Sequence, residues 1–264
     1  MTKVLICDLD GTLLDKNNEI SLENTRKIQS FSNSGGTFII ATGRLDHDIV
    51  YVEKQLGIQG AFRISQNGAV ITNKDGKVVF KQEIDSYAAK GIMKILDKRK
   101  ERVEVNDAIR RYFPSPRPMG GVAEFVDSSV IDPQLNKKVG NSVIPTIFLI
   151  FGEKSGFKEI KAAIHKKYED IVNCVETSDS SLEIMPKNIS KGVAVRQIMK
   201  ELNRTTQDVY VIGDSENDIS MFEAAGYSFA IDNASDQVKQ KADEIQKTVA
   251  DCIEVIMNTS PKVR

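Results

Sequence analysis

Through its first third the chain alternates short apolar runs with amphipathic stretches. Val4-Leu5-Ile6-Cys7 is long enough for a buried strand and too short for a helix. Leu22, Ile28 and Phe31 then mark one face of a helix. Ser21 can cap its start, and Gly35-Gly36 ends it. Residues 37–41 read as a second buried strand. Leu45, Ile49, Val52 and Leu56 follow at helical spacing and stop at Gly57. Strand, helix, strand, helix predicts a parallel sheet with right-handed crossovers. A short strand at 61–64 leads into Ser65-Gln66-Asn67-Gly68-Ala69. The runs 70–72 and 77–80, joined by Asn73-Lys74-Asp75-Gly76, predict a β-hairpin.

From about residue 85 the pattern changes. A helix is expected over 87–99, strands over 103–105 and 109–113, then a proline-rich loop over 114–121. A strand over 144–151, a helix over 155–167 and strands over 171–175 and 182–185 complete this segment. After Pro186 the parallel pattern returns, with a helix over 192–202 and a strand over 209–212. A short helix over 219–225, a strand over 227–231 and a terminal helix over 250–257 follow. The middle segment therefore reads as a second α/β domain inserted into the first, with limits near 83 and 186. Residues 258–264 read as a mobile end.

Composition narrows the classes. At 264 residues a sizeable core is available without disulfide staples. A formal net charge of -1 gives no basic field for nucleic acid or a membrane surface. Cys7, Cys174 and Cys252 lie far apart, and His47 and His165 form no cluster with them, which argues against zinc. No apolar run approaches the length of a membrane span. The sequence enters a strand at once, without the leader of a signal peptide, and a cytoplasmic protein is expected. Nothing in the sequence fixes the oligomeric state.

The candidate chemistry sits where predicted strands end. Asp8 and Asp10, two apart, are expected to converge at the carboxyl end of the first strand, where parallel sheets place their ligands. Carboxylates that close do not both ionise cheaply, and a divalent cation would relieve them. Asp214 and Asp218 flank Asn217 after the strand 209–212 and suit a hard cation. Lys191 opens a helix, where backbone N–H groups already favour an anion.

These segments stand in the order of the four motifs of the haloacid dehalogenase superfamily of aspartate-nucleophile phosphatases, which the chain resembles throughout. They are Asp8-Leu9-Asp10-Gly11-Thr12-Leu13, then Thr42-Gly43-Arg44, Ser190-Lys191-Gly192, and Gly213-Asp214-Ser215-Glu216-Asn217-Asp218. The likeness is to the Cof-like, class IIB branch, whose cap lies between the second and third motifs. It implies an α/β fold: a Rossmann-like parallel-sheet core over 1–82 and 187–264, and an α/β cap over 83–186 that sets substrate specificity. It also implies a Mg²⁺-dependent phosphatase for a small phosphorylated metabolite, a sugar phosphate or a cofactor monophosphate. On this resemblance Asp8 is the nucleophile and Asp10 the acid and base, with its backbone carbonyl on the metal. Thr42 binds the phosphoryl group, with Gly43 and Arg44 beside it. Lys191 neutralises nucleophile and phosphoryl together. Asp8, Asp10, Asp214 and Asp218 form the metal set, Asp218 through water or as an orienter. Asn217 and Asn67 face the phosphate or substrate.

Two stretches depart from the branch. Ile231-Asp232-Asn233-Ala234 stands where Met-Gly-Asn-Ala is usual, and Asp251-Cys252-Ile253 replaces Asp-Gly-Val. In the insert, Arg110, Arg111 and Arg117 are candidates for a second anionic group of the substrate. Lys187 lies close enough to Lys191 in sequence to compete for its role. A phosphomutase on the same core and a non-catalytic phosphometabolite-binding regulator are the alternatives.

Overall fold

The computed structural model describes residues 3–99, 101–116, 125–178 and 180–258. In chain order the elements are β1 (Val4–Asp8), α1 (Leu22–Asn33), β2 (Thr37–Ala41), α2 (Asp46–Leu56), β3 (Phe62–Ser65), β4 (Val70–Asn73) and β5 (Val78–Lys81). Next come α3 (Ser86–Leu96), β6 (Arg102–Asn106), β7 (Arg111–Phe113), β8 (Ser129–Ile131), α4 (Leu135–Lys138), β9 (Ile147–Phe151), α5 (Lys154–Tyr168), β10 (Val172–Ser178) and β11 (Ser181–Pro186). The chain closes with α6 (Lys191–Glu201), β12 (Val209–Gly213), α7 (Ile219–Phe222), β13 (Tyr227–Ile231), α8 (Asp236–Lys239), β14 (Glu244–Gln246) and α9 (Val249–Asn258). Two compact units result, Met1–Val79 with Ser190–Arg264, and Phe80–Ile189.

The first unit is built on β1. All five of its residues are buried, and it pairs in parallel with β2 on one side and β12 on the other. The sheet order is β14-β13-β12-β1-β2-β3-β4-β5, parallel from β14 to β3 and antiparallel between β3 and β4. Helices pack in two groups, α1 with α2 and α9, and α6 with α7. Ser21 caps α1 by accepting the Asn24 N–H at 3.0 Å, as its position implied. Cys7 and Cys252 are fully buried core residues. Sequence periodicity missed β14 and α8, which are too short to show a repeat.

The second unit has its own sheet, in the order β10-β11-β9-β6-β7-β8. Its pairs are antiparallel except β7 with β8. Alternation along the strands sends Val103, Val105, Phe148, Ile150, Leu182 and Ile184 into one core with α3 and α5. The other face of β6 and β7 carries Glu104 and Arg111, both buried and 3.9 Å apart. The strand expected from Ile109 begins only at Arg111. Ile109 is 67% exposed, in a turn whose N–H groups at 109 and 110 bond the Asp107 carboxylate. Arg110 is exposed. Arg117, most of the proline-rich loop and residues 259–264 lie outside the described residues. No described helix is long and apolar enough to cross a membrane.

Candidate active site

Parallel strands in one sheet end on the same side, so their following loops gather there. Asp8 closes β1, Thr42 follows β2, the 66–68 turn follows β3, Asp214 follows β12 and Asn233 lies just beyond β13. Four of the expected residues, Asp8, Lys191, Asp214 and Asp218, form one charged cluster here.

Asp8 is buried, and the Lys191 ammonium donates to its Oδ1. The same ammonium donates to Asp218 Oδ1 at 2.7 Å. Ser190 caps α6, its Oγ accepting the Val193 N–H at 3.3 Å, and the helix packs against the 66–68 turn, so that Lys191 at its first position reaches Asp8. One oxygen from each of Asp8, Asp214 and Asp218 lies within 4.8 Å of the others. Three carboxylates facing one ammonium leave an excess of two negative charges when all are ionised. Burial first, then the charge of Asp218, pushes the Asp8 carboxyl well above the usual carboxylate range, and Lys191 pulls it back in part. Burial raises Asp214 as well, against the hydrogen bond from Thr12. For Lys191, burial works against the charge, yet Asp218 and Asp8 outweigh it and hold the ammonium firmly protonated. A divalent cation fits this set: hard oxygen donors, and a charge that cancels the excess.

Asp218 offers such a cation little. Its Oδ2 accepts the N–H groups of Asp214 and Ser215, both at 3.0 Å, and its Oδ1 is held by Lys191. The donors left to it are the Asp8 oxygen that Lys191 does not hold and the Asp214 carboxylate, whose oxygens accept neutral hydroxyls, from Thr12 at 2.7 Å and Ser215 at 3.3 Å, rather than an ammonium. Thr12 Oγ1 donates to Asp214 Oδ1 at 2.7 Å, a partner that sequence reasoning left without a role although it stands inside the first motif. Gly11 turns there with φ +86°, and a Cβ on it would sit 2.6 Å from Asp214 Oδ2.

Asp10 is placed differently from expectation. β1 stops at Asp8, so strand alternation does not extend to residue 10. Leu9 is buried and Asp10 lies in a turn closed by Leu13 and Leu14 N–H groups on the Leu9 carbonyl. The Asp10 carboxylate is held bidentate by Arg44, Nε at 2.9 Å and Nη2 at 2.6 Å. Thr42 Oγ1 stands 3.5 Å from Asp10 Oδ2 and accepts the Arg44 N–H at 3.2 Å. Asp10 and Arg44 thus form their own neutral pair beside the buried cluster.

Asn67 and Asn217 also meet. Asn217 Nδ2 donates to Asn67 Oδ1 at 3.0 Å, while Asn217 Oδ1 is buried without a hydrogen-bond partner. Asn67 lies in an unusual turn: Gln66, Asn67 and Gly68 all have positive φ, at 51°, 54° and 93°. Backbone bonds of 2.9 Å from Gln66 to Arg44 and from Asn67 to Thr42 hold the turn in that state. Two consecutive non-glycine residues there are costly, and such strain gathers at working sites. Gly43 lies against the Asn67 side chain. Lys187 does not compete with Lys191; it donates to the Glu169 carbonyl at 2.7 Å.

Known proteins bear on this arrangement. The sequence profile of the haloacid dehalogenase-like hydrolases matches residues 5–255. Phosphatase YwpJ of Bacillus subtilis is 28% identical over 271 residues, covering 93% of this chain and 95% of that one. A second Bacillus subtilis protein, 5-amino-6-(5-phospho-D-ribitylamino)uracil phosphatase YwtE, is 29% identical with 93% of each chain covered. The crystal structure of TM0651 from Thermotoga maritima is 28% identical, with TM-score 0.87 over 99% of both chains.

Proposed function

This chain belongs to the haloacid dehalogenase-like hydrolases, as a phosphatase of the Cof-like class IIB family, and we propose that it hydrolyses a small phosphorylated metabolite through an aspartyl-phosphate on Asp8. The observation that carries the residue assignment is the Asp8–Lys191 contact beside Asp214 and Asp218, inside a buried cluster with excess negative charge. Attack by Asp8 on phosphorus needs its carboxylate ionised, and Lys191 favours that form. Asp8, Asp214 and the Asp10 carbonyl would hold Mg²⁺, which screens the nucleophile from the incoming phosphoryl charge and polarises the phosphoryl oxygens. Asp218 orients Lys191 and the 214–215 backbone. Thr42 and the Asn67–Asn217 pair supply donors for the non-bridging oxygens.

Asp10 protonates the leaving oxygen, then takes a proton from the water that cleaves the acyl phosphate. For this its carboxylate must leave Arg44 in part and take up a proton from solvent before it can give one, and an arriving phosphoester offers the guanidinium another anion. The substrate class is supported by two relatives whose names specify a phosphorylated ribitylamino-uracil, one being YwtE and the other YbjI of Escherichia coli, 26% identical. The test is phosphate release from an aryl phosphate with and without Mg²⁺, for wild type and Asp8→Asn. Release by the wild type alone, only with the cation, and a phosphorylated Asp8 trapped in mass spectra are expected. Equal release by Asp8→Asn would sink the nucleophile assignment. Transfer that demands a bisphosphate activator would point to a mutase.

A further inference from the structure

Asn233 stands beside Ile231 and Asp232, the two residues of its stretch that depart from the family pattern, and it makes a contact across the site. Its Nδ2 donates to the Gly11 carbonyl at 2.8 Å, joining residues 222 positions apart. In the sheet, β12 lies between β13 and β1. A bond from the loop after β13 to the loop after β1 therefore bridges the end of β12, which is where Asp214 emerges. The Gly11 loop satisfies itself otherwise: Gly11 N–H bonds Leu14 O at 3.2 Å, and Leu13 and Leu14 N–H bond Leu9 O at 3.0 and 2.8 Å. The Gly11 carbonyl instead reaches outward to a distant side chain. The turn it belongs to presses directly on Asp214, with room at Gly11 for no Cβ, and the next residue, Thr12, bonds Asp214 Oδ1.

We infer that Asn233 is a positioning residue for the metal site: its amide fixes the Gly11–Thr12 turn against Asp214 and so sets the distance between Asp214, Asp8 and the Asp10 carbonyl. It touches neither substrate nor metal. The neighbouring Asp232 does not share this role; its carboxylate is exposed and its N–H bonds Gln246 O at 2.9 Å. The inference rests on the cation site proposed above and adds a residue to its support. Partners that orient metal ligands typically change metal affinity by about 10-fold or more when removed. Asn233 is itself exposed, so its loss leaves the core packing intact.

The experiment is a calorimetric Mn²⁺ titration of the full chain as wild type, Asn233→Ala and Asn233→Leu, beside thermal midpoints and the Mg²⁺ concentration for half-maximal phosphate release. Asn233→Leu keeps the shape and the charge and loses the donor. Both variants are expected to bind Mn²⁺ about tenfold more weakly, to need correspondingly more Mg²⁺, and to melt with the wild type. Mn²⁺ affinity equal to wild type in Asn233→Ala overturns the inference and leaves the hydrolase reading untouched. So does a loss confined to Asn233→Ala, which would indicate packing rather than the hydrogen bond. A wild type that takes up no Mn²⁺ overturns both.

Discussion

Replacing Lys191 by Met removes one charge while nearly keeping the side-chain volume. The ammonium is 1% exposed and touches both Asp8 and Asp218. Without it, Asp8, Asp214 and Asp218 face one another with no cation in contact among the described residues. Breaking a buried ion pair from one side costs ~3–5 kcal/mol. Asp218 keeps two backbone donors, from Asp214 and Ser215, so the lower end of that range is expected. The penalty depends on pH in a fixed direction. Burial already holds Asp8 above its unfolded value, and loss of Lys191 raises it further. The stabilisation by Lys191 is complete where Asp8 is ionised in the folded chain and shrinks as pH falls and Asp8 takes a proton. Urea unfolding in EDTA at pH 8 and pH 5 measures this. The gap between wild type and Lys191→Met is expected to be large at pH 8, smaller at pH 5, and partly closed by added Mg²⁺ at pH 8. A variant as stable as wild type at pH 8, or a gap that widens towards acid, would refute the charge balance assigned to this cluster.

Other outcomes follow from single contacts. Gly68→Ala meets both a φ of +93° and the Ser190 carbonyl 2.5 Å from its new Cβ, whereas Gly76→Ala, at φ +80°, meets nothing within 4 Å. Melting should show Gly76→Ala costing about 1 kcal/mol and Gly68→Ala up to about 3, with phosphate release impaired only in Gly68→Ala because Ser190 precedes Lys191. Equal costs would show that the Ser190 carbonyl does not constrain residue 68. Glu53 is buried beside Arg63, and burial pushes its carboxyl from 4.5 up to about 7, since Arg63 is bound more closely by Asp46, at 2.8 Å against 3.4 Å. The folded chain then holds the proton longer than the unfolded chain, and stability from this group is lost as pH rises from 4.5 to 7, by about 3 kcal/mol. Glu53→Gln keeps an acceptor for Gly60 N–H and should erase that slope; a wild-type-minus-variant difference constant across pH 4.5–7 would contradict it. Arg44→Met removes the guanidinium that orients Asp10 and then meets the arriving phosphoester; because the Asp10 carboxylate is 47% exposed, little stability should be lost, while phosphate release should suffer in both kcat and KM. A change in KM alone would assign Arg44 to binding.

Local pattern determined much of this molecule. The buried run of β1, the helical spacing of Leu45, Ile49, Val52 and Leu56, and the Ser21 cap are statements about neighbours in sequence, and the chain obeys them. The strands that lead to Asp8, Thr42 and Asp214 were legible for the same reason, and parallel pairing puts their loops on one side of the sheet. What lies beyond a strand end was not legible. Alternation suggested that Asp10 follows Asp8 inward, but the strand stops at Asp8 and Arg44 holds Asp10 apart. For Asp218 the sequence left two roles open, a ligand through water or an orienter, and only the fold showed its oxygens held by Lys191 and two backbone N–H groups. Asn233 received no role from the sequence, because its partner is the Gly11 carbonyl and a backbone acceptor leaves no mark in side-chain chemistry. Sequence decides which groups arrive at the sheet edge, since that depends on periodicity and chain order. Which of them touch depends on turn dihedrals and on partners far away in the chain, and those are settled only when the whole sheet has closed around them.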